Sequence, residues 1–199
     1  MDREPSAGSE RRQRILNATE RLLDRYGPGK TTIADIAREA EVAVGTVYLE
    51  FDSKDAIILA ISGARYEGVL DAMRLAASQP GCSARARLED VLDARVEAFL
   101  AAAEAGGHAG DLLHCQSRAV QAAHERFLGE ERALLGSLLR EGASTGELDV
   151  PDVELAASTL LRAYMSFSPP WLFKTPRDAI PGQLAAMHAL VLHGLVRRP

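Results

Sequence analysis

The stretch VAVGTVYLEF, residues 42–51, brings a glycine, a hydroxyl and a phenol together on what reads as one short helix. Thr46 and Tyr48 can donate to phosphate oxygens, contacts that fix a register on a duplex without reading its sequence. Gly45 removes a side chain where a backbone must come close to another surface. Inside a helix it costs ~1 kcal/mol against Ala, so its presence asks for a reason. Val44 and Leu49 offer apolar contact to thymine methyls, and Glu50 offers an acceptor to a cytosine amino group, unless it turns away from the groove. Lys54, just beyond, brings a full positive charge to phosphate. Val47 and Phe51, four apart, face inward and hold the helix to its neighbours. The same spacing also suits a short surface helix in a bundle with an incidental glycine, and periodicity alone weights the two readings equally.

Stepping outward, the elements that must position this stretch are helical. Helix one is expected over ERRQRILNATERLLDRYG, with Ile15, Ala18, Leu22, Leu23 and Tyr26 on its apolar side and Gly27-Pro28 as its stop. Helix two, TTIADIAREA, opens with the capping pattern Thr32-x-x-Asp35 and repeats Ile33, Ile36, Ala37 and Ala40 on one face. Helix three follows after three residues, and two short helices so joined suggest a helix-turn-helix. Helix four, from about Ser53 to Ser78, would be ~38 Å long at 1.5 Å per residue, enough to leave a small domain and enter a second. Further helices are read over 84–105, 111–127, 130–141, 152–167 and 181–196. The division expected is an arm over 1–9 that is polar and disordered, a helix-turn-helix domain over 10–52, and a linking helix with a larger helical domain over 53–199, about nine helices in all.

Composition narrows the classes. Among 199 residues, 47% are apolar and only 5% aromatic, a bias towards helix. The net charge of −5 argues against a chain coated with positive charge, although residues 1–66 alone are close to balanced. Cys82 and Cys115 are far apart, so neither a disulfide framework nor a metal motif is expected and a reduced cytoplasm is the default. His108, His114, Cys115 and His124 lack ligand spacing. No secretory leader and no apolar run long enough to span a membrane is read. Nor is there a Ser-His-Asp order, a phosphate loop or a carboxylate pair to mark an enzyme.

The run TTIADIAREAEVAVGTVYLEFDSKDAIILAI resembles the helix-turn-helix signature of TetR/AcrR-type transcriptional regulators, from about Arg14 to Ile61, with TTI..IA..A followed by V..GT.Y..F..K in order. Residues 138–161 also resemble the joint before the penultimate helix of many members. The resemblance implies an all-α homodimer that binds a double-stranded DNA operator through a three-helix head and a small-molecule effector through its body, with no cofactor. It places Thr32, Val44, Gly45, Thr46, Tyr48 and Lys54 at DNA-contacting positions. It also implies a four-helix dimer bundle from residues 152–167 and 181–196 of two copies. The departures are Glu41 where glycine is usual, Ala43 in place of a capping Ser, and Val44, Leu49 and Glu50 at positions that are frequently polar or basic. Lys30, Arg38 and the cluster Arg11, Arg12 and Arg14 remain for phosphates.

For the effector, Phe99, His114, Arg118, Tyr164, Phe167 and Trp171 are the expected pocket residues, each competing with ordinary core packing. Trp171 follows Pro169-Pro170 and suits a lid. Arg118 suits an acidic ligand group or a surface ion pair. The expectation is a cytoplasmic, ligand-released repressor that binds a palindromic operator as a dimer. The alternative is a helical small-molecule sensor without DNA binding, suggested by Glu41, Glu50 and the acidic total.

Overall fold

A computed structural model describes residues 7–104, 109–114 and 117–192. Its described elements are helical. They are α1 (Ala7–Tyr26), α2 (Ile33–Glu39), α3 (Val44–Glu50), α4 (Lys54–Ala77), α5 (Ala84–Glu104), α6 (Asp111–His114), α7 (Arg118–Thr145), α8 (Val153–Ala163) and α9 (Ile180–Leu192). Three short 3-10 turns, Tyr164–Phe167, Leu172–Lys174 and Arg177–Ala179, link α8 to α9. No described helix is long and apolar enough to cross a membrane.

Two apolar cores organise the chain. The first holds Ile15, Ala18, Leu22 and Leu23 of α1, Ile36 and Ala37 of α2, Val47 and Phe51 of the α3 segment, and Ile57, Ile58 and Ile61 of α4. It is completed by Leu112, Ala119 and Val120, so α6 and the first turn of α7 reach into it from the body. The second is built from the rest of α4 with α5, α7, α8 and α9. Helix α4 belongs to both, with Ile57 at one end and Met73 at the other fully buried. At this joint Tyr66 donates its hydroxyl to the Leu113 carbonyl, 2.6 Å.

Four expectations are corrected. Residues 7–9, placed in the disordered arm, are the first residues of α1, while 1–6 lie outside the described residues. Tyr26 is half exposed beneath Arg25, and the buried polar position of α1 is Thr19, whose hydroxyl donates to the Ile15 carbonyl. The helices expected over 111–127 and 130–141 are instead the four-residue α6 and one continuous α7. Gly129 lies within α7 and does not break it, because Phe127 on one side and Glu131 and Leu135 on the other are buried on one continuous face. Finally, the helix expected over 152–167 changes at Tyr164 to a 3-10 turn. The end of the last expected helix, 193–196, lies outside the described residues.

Candidate nucleic-acid interface

Helix α2 starts where its sequence says it should. The Thr32 hydroxyl accepts from Asp35 N (3.2 Å) while the Asp35 carboxylate accepts from Thr32 N (3.3 Å) and from the Thr32 hydroxyl (2.6 Å). Arg38 adds a donor to the same carboxylate at 2.5 Å. The Thr32 hydroxyl therefore acts first as a helix cap, and with its backbone N–H it holds the Asp35 carboxyl below its ordinary value.

The turn to α3 passes through Glu41 in the left-handed region (φ 54°), a conformation that glycine adopts at no steric cost. Arg14 of α1 secures that turn by donating to the carbonyls of Ala40 (2.8 Å) and Glu41 (3.3 Å). Ala43 precedes α3 and gives it no side-chain cap.

Helix α3 then divides by face. Val47 is fully buried and Phe51 nearly so. Val44, Gly45, Tyr48 and Leu49 are exposed, Leu49 at 81% of its surface, and Thr46 is half-buried beside them. A Cβ built on Gly45 would meet nothing within 4 Å. Nothing among the described residues therefore requires glycine at this position.

The charges expected to face phosphate are mostly turned to other uses. Glu50 is only 14% exposed and binds Arg11, with Arg11 Nε at 2.7 Å and NH2 at 2.5 Å from its Oε1, so it ties α3 to α1 and leaves the open face uncharged. Arg12 lies 4.6 Å over the Phe51 ring. Lys54 gives two of its three ammonium donors to the carbonyls of Pro28 (2.9 Å) and Thr31 (3.0 Å), fastening the loop before α2 to the start of α4. Lys30 is exposed with no ion pair among the described residues, and Arg38 is exposed beyond its bond to Asp35.

On the body side the expected pocket residues do not come together. Phe99 packs edge-on to Tyr66 and Phe127 inside the core. Tyr164 is buried, its hydroxyl 2.6 Å from His188 Nδ1, while His188 Nε2 meets Asp93 at 2.8 Å. Burial is the main cause that pushes the Tyr164 phenol above its ordinary value. Phe167 is core as well. His114 bonds the Gly110 carbonyl and stacks edge-on to Phe173, and Arg118 is exposed at the start of α7. Trp171 alone of the six lines a large groove, about 540 Å³, between α7 and α8.

Sequence reasoning missed the residues that define that groove. At its floor Arg95 and Glu131 form an ion pair, their side chains 3% and 0% exposed. Arg95 also donates to the Phe167 carbonyl (3.0 Å) and the Ser168 hydroxyl (2.7 Å). Burial pushes the Glu131 carboxyl up, against the opposing pull of Arg95. The signal was present: Arg95 falls seven residues after Leu88, on the face that carries Leu88, Val91, Leu92 and Phe99, where a lone charge needs a buried partner. His108 and Cys115 lie outside the described residues. No group of three or more metal-binding side chains occurs among those described.

With this geometry in view, comparison with known proteins is direct. Residues 15–61 match the family "Bacterial regulatory proteins, tetR family". The HTH-type transcriptional regulator HbdR of Aromatoleum sp. (strain CIB) is 42% identical over 55 residues, 28% of this chain and 24% of that protein. The chain thus aligns with about a quarter of the length of the curated relatives it matches. Similarity of fold runs further. A transcriptional regulator of the TetR/AcrR family from Thermobifida fusca YX-ER1 superposes over 94% of this chain and 100% of its own, with TM-score 0.69 and 24% identity. FadR of Bacillus subtilis, in complex with stearoyl-CoA, superposes over 92% of this chain and 98% of its own, with TM-score 0.69 and 19% identity.

Proposed function

The chain belongs to the TetR family of bacterial regulatory proteins, whose helix-turn-helix it carries at residues 15–61, and from that premise we propose that it binds a palindromic DNA operator as a homodimer, represses transcription there, and is released by a small amphipathic effector. The observation that carries the DNA-binding part is the open face of α3. Four neighbouring residues, Val44, Gly45, Tyr48 and Leu49, stand exposed on a short helix, and the glycine among them has no internal reason to be one. A face that approaches a duplex closely supplies that reason. Thr46 and Tyr48 then donate to phosphates, and Val44 and Leu49 meet the methyl-bearing edges of thymines in the major groove. Glu50 takes no part in this reading, because Arg11 holds it.

The dimer would form on α8 and α9, where Leu155 and Leu190 stand exposed. Stable interfaces of this kind bury ~2,000 Å² or more. Division into a head over 10–52 and a body over 53–199 fits the two cores, with α4 shared. The joint is closer than a single linking helix would make it, because Leu112, Ala119 and Val120 of the body also pack in the head's core. A shift of α7 on binding effector would therefore move the head directly, and a coupling of ~1–3 kcal/mol would loosen DNA by roughly 5- to 150-fold. The stearoyl-CoA held by FadR supports a body of this fold holding an amphipathic molecule.

Gly45→Ala tests this with two readouts. Alanine relieves a helical glycine without a clash, so thermal stability should rise by up to ~1 kcal/mol, about 2–4 °C in Tm for a chain this size. Footprinting on the DNA beside the protein's own gene should show a protected palindrome for the natural chain, and affinity for it should fall about tenfold or more in the variant. A stabilised variant with unchanged affinity would remove the face from the interface. The absence of any protected site at low salt would favour the sensor that does not bind DNA.

A further inference from the structure

The groove between α7 and α8 has a chemical signature of its own. Glu131 is fully buried and lines it, with Oε1 held by Arg95 Nε. Its other carboxylate oxygen, Oε2, is buried and has no hydrogen-bond partner among the described residues. A buried acceptor without a donor is a cost that a ligand's donor would relieve. Exposed apolar side chains, Leu128, Met165 and Trp171, stand on its walls, the last two each 56% exposed. Two arginines, Arg132 and Arg162, line the groove without an ion pair among the described residues. With Arg95 at the floor they outnumber Glu125, the exposed acid of the lining, and disfavour a cationic ligand, and the free oxygen of Glu131 disfavours an anion at the deep end. What remains is a neutral O–H carried on an apolar, preferably flat, frame that can lie against an indole and a thioether. At about 540 Å³ the groove is of the size that takes such molecules.

We infer that this groove binds an apolar molecule of the phenol class, whose hydroxyl donates to Glu131 Oε2 while its ring packs on Trp171 and Met165. The assignment names the effector class of the reading above and rests on that reading for its consequence at DNA. Occupancy itself is read without DNA.

Trp171 is the chain's single tryptophan, so intrinsic fluorescence reports on the groove directly. The full chain is titrated with 4-hexylphenol and with 4-hexylanisole, which keeps the frame and loses the donor. The phenol should bind about tenfold tighter or better, because a site built around a buried polar group rejects an analogue that leaves it unpaired. In Glu131→Gln the side chain can still accept from Arg95 but presents an N–H where Oε2 stood, and the preference for phenol over anisole should vanish. Gly129→Phe guards against misfolding of that variant. Gly129 lines the groove, and a Cβ there would meet nothing within 4 Å, so the new side chain starts in open space and its ring is expected to occupy the groove. The phenol response should be lost in it with the melting temperature kept or raised.

Equal affinity for phenol and anisole, or a response that survives Gly129→Phe, overturns the assignment. So does a Gly129→Phe protein that becomes monomeric while the natural dimer ignores the phenol, since the groove is then covered by a second copy. A natural chain that prefers phenol to anisole yet retards no DNA supports the groove and sinks the regulator reading. One that retards DNA and shows no such preference does the reverse.

Discussion

The open face of α3 and the groove between α7 and α8 solve opposite problems with the same residue types. In the head, charges are used for assembly: Arg11 holds Glu50, Arg14 holds the turn at Ala40 and Glu41, and Lys54 holds the loop before α2. The face left for a partner is uncharged. In the body an ion pair, Arg95 with Glu131, is kept inside at the floor of the groove, while Glu125, Arg132 and Arg162 line it nearer the surface. In the proposed reading the open face of α3 therefore meets its partner with uncharged side chains, through apolar contact and hydroxyl donors. The groove, in the proposed reading, presents a buried polar point and selects by hydrogen bonding. The two should differ most in what happens when a charge is removed.

The largest effect belongs to the buried pair. Arg95→Met leaves Glu131 buried without its partner and orphans the Phe167 carbonyl, which should cost about 3–5 kcal/mol in urea unfolding. The loss should shrink as pH is lowered. A carboxyl whose folded pKa is raised favours its protonated form in the fold, so stability returns towards acid and is lost as pH rises. Arg95→Met with Glu131→Leu should recover most of the deficit, since an apolar pair of similar volume is often as stable. Arg11→Met, at the pair of the head whose arginine is 41% exposed, should cost only about 0.2–1 kcal/mol. If the two arginines cost the same, the contrast between the regions fails.

Glycines sharpen the contrast at the next scale down. Gly45 has open space where its Cβ would stand. A Cβ on Gly142, near the end of α7, would lie 2.5 Å from Leu148 Cδ1 and 2.9 Å from the Ala84 Cβ. Gly142→Ala should thus destabilise by about 1–3 kcal/mol through overpacking, although Ala is the better helix former. The same substitution at position 45 should stabilise. Differential scanning calorimetry of the two variants should show melting temperatures moving in opposite directions.

How much of this could be read in advance follows the same division. The head was legible because its signals are local: Thr32 with Asp35, Val47 with Phe51, and Gly45 are all set by spacing of a few residues. Its charges were misplaced because their partners lie far along the chain; Glu50 meets Arg11 across 39 positions. In the body, helical periodicity identifies which residues face inward but not whether a cavity waits there, so Phe99, Tyr164 and Phe167 turn out to be packing. The boundary expected between 127 and 130 falls at Gly129, yet tertiary packing on both sides of it carries α7 through. Arg95 was the one long-range feature that the apolar pattern could have exposed, as a charge at a core position.

The smallest expected effect compares two carboxyls that the fold pushes in opposite directions. Asp35 is half-buried and lowered, first by the hydrogen bond from the Thr32 hydroxyl, which outweighs the cost of desolvation, and further by the Thr32 N–H and Arg38. Glu131 is raised, first by burial, against the pull of Arg95. A lowered folded pKa contributes stability that is present above the unfolded carboxyl range and lost as pH falls through the folded value, a window below about pH 4. A raised one has the opposite slope. Carboxyl carbon chemical shifts followed against pH should place Asp35 below and Glu131 above an ordinary side chain of each type. Thr32→Val should return Asp35 towards its ordinary value and leave Glu131 where it was, whereas Thr32→Ser, which keeps the hydroxyl, should move neither. A Thr32→Val protein with Asp35 still fully lowered would assign the shift to Arg38, and Arg38→Gln would then have to reproduce it.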